Sequence, residues 1–246
     1  MPPAEARSSV IPTVLGFFAI WMVFEISARL TTSYRGEAGF LILFIVLAAA
    51  LAVEFVLFRT RPLDALENLG LRLPNARGTI AGLIIGVALL AWFPLFALAT
   101  GTSIGLVDLW PWFALGIFAQ AGLAEEALFR GFLFRHFREG RTFWRAALLA
   151  AVPFTLVHLL AFLTMDAALA AVSVAVAVSI GFPLAWLYER SGNSIWPPAF
   201  VHFIVQGAIK LVAVDAAEFV PLAVGWMVVC ATLPWALFLL RPSQAR

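Results

Sequence analysis

The sequence predicts an all-helical membrane protein, and three observations carry that prediction. Of its 246 residues, 63% are hydrophobic and only 12% are charged, against about a quarter charged in an ordinary soluble domain. The mean hydropathy is +0.99. The apolar residues run continuously over stretches of roughly 20, the length a helix needs to cross a bilayer. They show none of the inward–outward alternation of barrel strands. A soluble globule could not cover this much apolar surface, and the same composition excludes intrinsic disorder.

Eight spans are expected, at roughly 10–30, 38–58, 79–100, 107–138, 143–164, 166–188, 194–213 and 219–240. The first reads as a retained helix rather than a cleaved leader. No small-x-small site follows it, whereas Glu25 and Arg29 do. The longest polar connection, 59–78, holds Pro62, Asn68, Gly70, Pro74 and Asn75 and is expected to fold as a short surface segment. Pro197 and Pro198 suit the first turn of the seventh helix. No repeat, low-complexity tract or soluble domain is visible, so 1–246 reads as one polytopic membrane domain. The single cysteine, Cys230, lies in an apolar run as a small buried or lipid-facing residue, with no disulfide framework or cysteine metal cluster around it.

The net charge is +2, and 15 of the 16 basic residues are arginine. One set of connecting segments holds Arg7, Arg59, Arg61, Arg72, Arg77, Arg135, Arg138, Arg141, Arg145, Arg190, Arg241 and Arg246, twelve in all. The opposite set holds three, Arg29, Arg35 and Lys210. The positive-inside rule then places both termini in the cytoplasm, with a bacterial plasma membrane as the implied setting. Trp110, Trp112, Trp144 and Trp196, near segment ends, suit interfacial belts. This distribution explains the basic balance. No recognition module carries a basic face, so the expected partner is the lipid bilayer and not nucleic acid.

Ionisable residues inside the spans carry the functional information, since each costs about 2.5–3.5 kcal/mol on insertion scales and needs a partner or a task. They are Glu25, Glu54, Glu125, Glu126, Arg130, His158, His202 and Lys210. Glu25, Glu54 and Lys210 sit near span ends, where snorkelling or solvation accounts for them. Glu126 and Arg130 are four apart on one helix face and can pair, while Glu125 points about 100° away and is left without a partner. That division suits one structural carboxylate and one kept for proton transfer.

Depth brings the remaining groups together. If the fourth helix runs to about Arg138, Glu125 lies about 20 Å above that end, and His158 lies about 21 Å up the next, antiparallel helix. His202 and Gln206 lie about 12 and 18 Å above Ser194. Modest tilts join them in one polar cluster, expected below the membrane centre and open to the cytoplasm.

The blocks Glu125-Glu126…Arg130, Phe154…His158 and His202…Gln206, with the approach Leu184–Trp196, resemble the CPBP family of CAAX-protease and bacteriocin-processing (Abi) membrane proteins. The resemblance covers a core at 107–210. It implies an intramembrane endopeptidase acting on membrane-associated protein or peptide substrates. It further implies that Glu125 is the general base acting on water, that His158 orients that water, that His202 and Gln206 form an oxyanion hole, and that Glu126 and Arg130 are structural. Family members usually carry Asn or Asp where this chain has Gln206.

No cofactor is required in this reading. Family members have also been named metalloproteases, and Glu125, His158 and His202 are a His₂Glu set of the kind that holds a catalytic zinc. Against zinc, no H-E-x-x-H helix is present. Two other functions compete: a non-catalytic relative acting as an immunity or partner-binding membrane protein, and a small proton-coupled transporter. The absence of an inverted repeat argues against the transporter.

The arginine distribution makes the orientation testable. A reporter fused after Arg246 should give a cytoplasmic signal; a signal from the opposite side would mean a miscounted span.

Overall fold

The structure, a computed structural model, describes residues 10–31 and 36–240. Arg7, Arg35, Arg241 and Arg246, which entered the charge count, lie outside the described residues. The helices are α1 (Val10–Leu30), α2 (Glu37–Phe58), α3 (Pro62–Asn68), α4 (Ala76–Leu90), α5 (Trp92–Thr100), α6 (Trp110–Ile117), α7 (Arg135–Arg138), α8 (Phe143–His158), α9 (Ala167–Arg190), α10 (Trp196–Leu211) and α11 (Ala216–Thr232). Helical turns are unbroken from α6 through α7, so Trp110–Arg138 forms one helix that carries both glutamates of the site.

Each expected span coincides with a helical stretch. Among the described residues six helices are long and apolar enough to cross a membrane: Val10–Leu30, Glu37–Phe58, Ala76–Thr100, Phe143–Leu163, Ala167–Arg190 and Ala216–Leu239. The protein is thus an integral, multi-pass, all-α membrane protein. The two expected spans not among the six, 107–138 and 194–213, coincide with the glutamate helix and α10. These stretches carry the buried Glu125, Glu126, Arg130 and His202, and α10 has only 16 residues.

Two apolar cores meet at these helices. Phe17 and Ile20 of α1 and Ile42 and Val46 of α2 pack on Ala124, Leu128 and Phe132 of the glutamate helix. Ile85 and Leu89 of α4, Leu184 of α9 and Trp226 of α11 pack around Val201 and Ile204 of α10. Cys230 belongs to this second core.

The arginine-rich end is sealed. The 59–78 connection is more than a surface segment. It forms α3 and then plugs the bundle, with Leu69 fully buried against Gly131, whose added Cβ would stand 2.2 Å from the Leu69 carbonyl oxygen. The turn before α10 is stitched to the same connection. Ile195 N–H donates to Gly70 O at 3.0 Å and Asn75 N–H to Ser191 O at 3.1 Å, and Ser194 Oγ donates to Arg72 O at 2.7 Å.

Glu54 corrects a sequence expectation. It does not snorkel; it is fully buried. It accepts from Arg135 Nη2 at 2.5 Å and Thr60 Oγ1 at 3.0 Å, with His136 Nε2 at 2.8 Å. The His136 ring stacks on Phe58, centroids 3.9 Å apart. Arg138 also bonds Glu189 at this end. Partners in another helix were available to Glu54, and burial with them satisfies the carboxylate more fully than a reach toward headgroups.

At the opposite end a short antiparallel pair ties Gly105–Leu106 to Val212–Ala213. It fixes the start of the glutamate helix to the end of α10. There α2 and the glutamate helix touch backbone to backbone, since a Cβ at Gly39 would stand 2.0 Å from Gly116 O. Small residues allow such approaches between membrane helices.

The plug predicts a contrast between two glycines. Gly131→Ala should lower thermal stability in detergent by about 1–3 kcal/mol, because the obstacle is backbone and the site is fully packed. Gly181→Ala, where an added Cβ meets nothing within 4 Å, should leave the unfolding temperature unchanged. Equal stability of the two variants would show that the plug does not seat there.

Candidate active site

The glutamate helix is locally widened. Phe118–Ala124 and Ala127–Phe134 are π-helical, and Glu125 and Glu126 sit between them. Glu125 N–H reaches back to Gln120 O and Arg135 N–H to Arg130 O, each five residues earlier. Such stretches concentrate at functional sites. A uniform 100° per residue therefore does not describe the faces here, although the Glu126–Arg130 pairing survives. Gly122 brings this helix against α10, where an added Cβ would be 3.0 Å from Ala199 O. One turn on from that contact, Glu126 and His202 meet.

Glu126 is fully buried and Arg130 and His202 nearly so. One oxygen, Oε1, serves both partners. Arg130 Nη1 donates to it at 2.6 Å, and His202 Nδ1 stands 2.7 Å away. The other oxygen, Oε2, is buried with no hydrogen-bond partner among the described residues. Arg130 also donates from Nη2 to Gly181 O at 3.3 Å and lies 5.8 Å from the centroid of the Phe154 ring. The expected Glu126–Arg130 pair is present; the hold on His202 was not foreseen. No sequence signal pointed to Gly181.

Glu125 is held more loosely. Gln206 Nε2 donates to its Oε1 at 3.3 Å, and His202 Nε2 lies 3.7 Å from its Oε2, beyond a direct hydrogen bond. It retains 8% exposure. With Nδ1 facing the Glu126 carboxylate, the His202 ring hydrogen sits on Nδ1, and Nε2 is left to face Glu125.

His158 closes α8. Its Nδ1 is 2.8 Å from Phe154 O, and its ring stacks on Phe154 with centroids 4.2 Å apart. Nδ1 donates to the carbonyl, so Nε2 keeps an acceptor lone pair. Glu126, Arg130 and His202 are therefore joined by hydrogen bonds, as are Glu125 and Gln206; His202 Nε2 faces Glu125 across 3.7 Å, and His158 is bonded to its own helix.

The His₂Glu set does not fit a metal site in this geometry. Among the described residues no three His, Cys, Asp or Glu side chains gather closely enough to hold an ion.

A cavity lies one or two turns away from these residues. A space of about 420 Å³ lies beside the start of the glutamate helix and the end of α10, bounded by Gly36, Gly39, Gly116, Gln120 and Lys210. This is the arginine-poor end of the bundle, and none of Glu125, His158, His202 or Gln206 lines the space. Depth counted along single helices could not show that the 59–78 connection plugs the arginine-rich end.

Paired glutamates, two histidines and an amide are thus gathered inside a bundle of apolar helices. Residues 106–208 match the family model described as type II CAAX prenyl endopeptidase Rce1-like, which agrees with the resemblance of the core motifs to the CAAX-protease (CPBP) family. No curated protein matches the chain.

The two adjacent carboxylates should separate experimentally. Glu126→Ala strands Arg130 and His202 and should cost about 3–5 kcal/mol, as for a broken buried pair. Glu125→Gln keeps the amide-sized side chain and should unfold like the parent in a detergent melt. Equal destabilisation by both would make Glu125 structural as well.

Proposed function

We propose that the protein is an intramembrane endopeptidase. It hydrolyses peptide bonds in membrane-associated or C-terminal-tail substrates with a water activated by Glu125. The observation that supports this most is the unequal tying of the adjacent carboxylates. Glu126 is doubly bonded through one oxygen, while Glu125 has one long amide contact and keeps 8% exposure.

The chemistry follows from the donors. A water about 2.8 Å from Glu125 loses a proton to that carboxylate as its oxygen attacks the carbonyl carbon. The His158 Nε2 lone pair accepts the water's other hydrogen and fixes its orientation. The oxyanion accepts from the Gln206 amide and from His202 Nε2–H when that ring is protonated, with Glu126 holding the ring from behind. Protonated Glu125 then delivers its proton to the leaving nitrogen as the C–N bond breaks, giving a new carboxylic acid and an amine, and the acid's proton passes to the amine to leave a carboxylate and an ammonium. Both termini lie in the cytoplasm in this reading, and the protein works with no metal step.

A second reading, a non-catalytic partner-binding protein, draws support from Gln206, whose amide occupies Glu125 in the place where the family usually has Asn or Asp. Two measurements decide. Membrane proteomes of cells carrying Glu125→Gln should accumulate uncleaved proteins that the parent processes. On a cleaved substrate, Gln206→Leu should lower kcat by about 10²–10³, the loss seen for one oxyanion donor, with the melting temperature unchanged. Gln206→Asn should hold or raise kcat. Identical proteomes would favour the non-catalytic reading, and unchanged kcat in Gln206→Leu would remove that residue from the site.

A further inference from the structure

The glutamate helix ends at Arg138, and the turn 139–142 leads from it into α8, the helix that carries His158. Beside this turn lies a second cavity, of about 360 Å³, lined by Gly140, Arg141, Arg145, Leu148 and Leu149. Its size falls within the roughly 300–1,000 Å³ of small-molecule sites. It lies at the arginine-rich end, about 20 Å along the glutamate helix from Glu125. The chemistry proposed for Glu125 makes no use of it.

The two cations of the cavity are held differently. Arg141 is fixed to the end of the glutamate helix, with Nη1 donating to Phe137 O at 3.1 Å. Arg145 is exposed and makes no hydrogen bond or ion pair with a described residue. The acids of this end are engaged elsewhere: Glu54 and Glu139 pair with Arg135, and Glu189 pairs with Arg138. No carboxylate lines the cavity, so it presents positive charge to whatever enters.

The lining changes character along the helix. Arg145, Leu148 and Leu149 share one face of α8, being three and four residues apart. Leu149 lies about 6 Å further along the helix than Arg145, and Leu148 is exposed on the outer surface. Trp144, also exposed, stacks on Phe238 with centroids 5.3 Å apart, in the manner of an aromatic at a membrane–water interface. Guanidinium groups outermost, an aromatic at their level and leucines below them reproduce the order of phosphate, glycerol and acyl chain. A free anion would use the arginines and leave the leucines without an apolar partner. A zwitterionic lipid would bring its own cation against Arg145.

We infer that this cavity binds the headgroup of an anionic glycerophospholipid, with its phosphate at Arg141 and Arg145 and an acyl chain along Leu148 and Leu149. The lipid clasps the turn that joins the helix of Glu125 to the helix of His158. The inference does not rest on the endopeptidase reading, because lipid binding is measured without cleavage.

The probes are phosphatidylglycerol and phosphatidylcholine with the same acyl chains, titrated onto the full-length protein in a maltoside detergent. Retained lipid is counted by native mass spectrometry. The parent should hold one phosphatidylglycerol at least about tenfold more tightly than phosphatidylcholine, the worth of a charge-assisted hydrogen bond. Arg145→Gln should bring the two lipids level, while its melting temperature without lipid stays that of the parent, since Arg145 has no partner to lose. Arg61→Gln, which removes a charge at the same end but outside the cavity, should keep the preference whole. Phosphatidylglycerol should raise the melting temperature of the parent and of Arg61→Gln but not of Arg145→Gln. A large excess of inorganic phosphate should leave the lipid in place.

Equal retention of the two lipids, or a preference that survives Arg145→Gln, would overturn the site. An equal loss in Arg61→Gln would reduce it to attraction by surface charge at large. Displacement by inorganic phosphate would make it a site for the free anion and not for a lipid.

Discussion

A carboxylate in a dry helical core needs donors, and Glu126 takes two on a single oxygen, from a guanidinium and an imidazole. Much of the structure serves that junction. Arg130 is supplied by the same helix one turn on, and its other arm is held by a carbonyl of α9. His202 comes from α10, brought close because Gly122 lets the two helices touch. The junction therefore binds three helices and, in doing so, sets the ring of His202 in one orientation. A buried ion pair adds little stability compared with an apolar core of the same shape. Its value here lies in specificity: it defines where the imidazole points.

The neighbouring carboxylate is the complement of this arrangement. Adjacent residues on one helix cannot share a face, so whatever fixes Glu126 inward turns Glu125 toward a different set of groups. The π-helical turns on either side widen the helix where this division occurs. Inequality between two chemically identical groups, produced by environment, is the general way in which one fold assigns separate roles to paired acids.

The two ends of the bundle differ for physical reasons as well. At the arginine-rich end, Leu69 and the Glu54–Arg135–His136 cluster fill the space between helices. At the other end glycines replace bulky side chains, and the space beside Gln120 and Lys210 stays open. The 59–78 connection folds back into one end of the bundle, and the cavity lies at the other.

The sequence by itself determined the class of protein, the positions of the helices and the short set of polar residues that had to be explained. Hydrophobic length and the cost of burying charge are local properties, readable along one chain. Glu126–Arg130 was legible for the same reason, being four apart on one helix. Tertiary structure alone decided what depends on partners distant in sequence: the hold of Glu126 on His202, the carbonyl of Gly181 under Arg130, the burial of Glu54 and the plugged end. His158 shows the boundary well. Its depth placed it at the right level, yet its Nδ1 is bound to the carbonyl of Phe154, and only packed coordinates could tell which ring nitrogen was left for chemistry. Periodicity reports which face a residue occupies; it carries no information about which other face arrives to meet it.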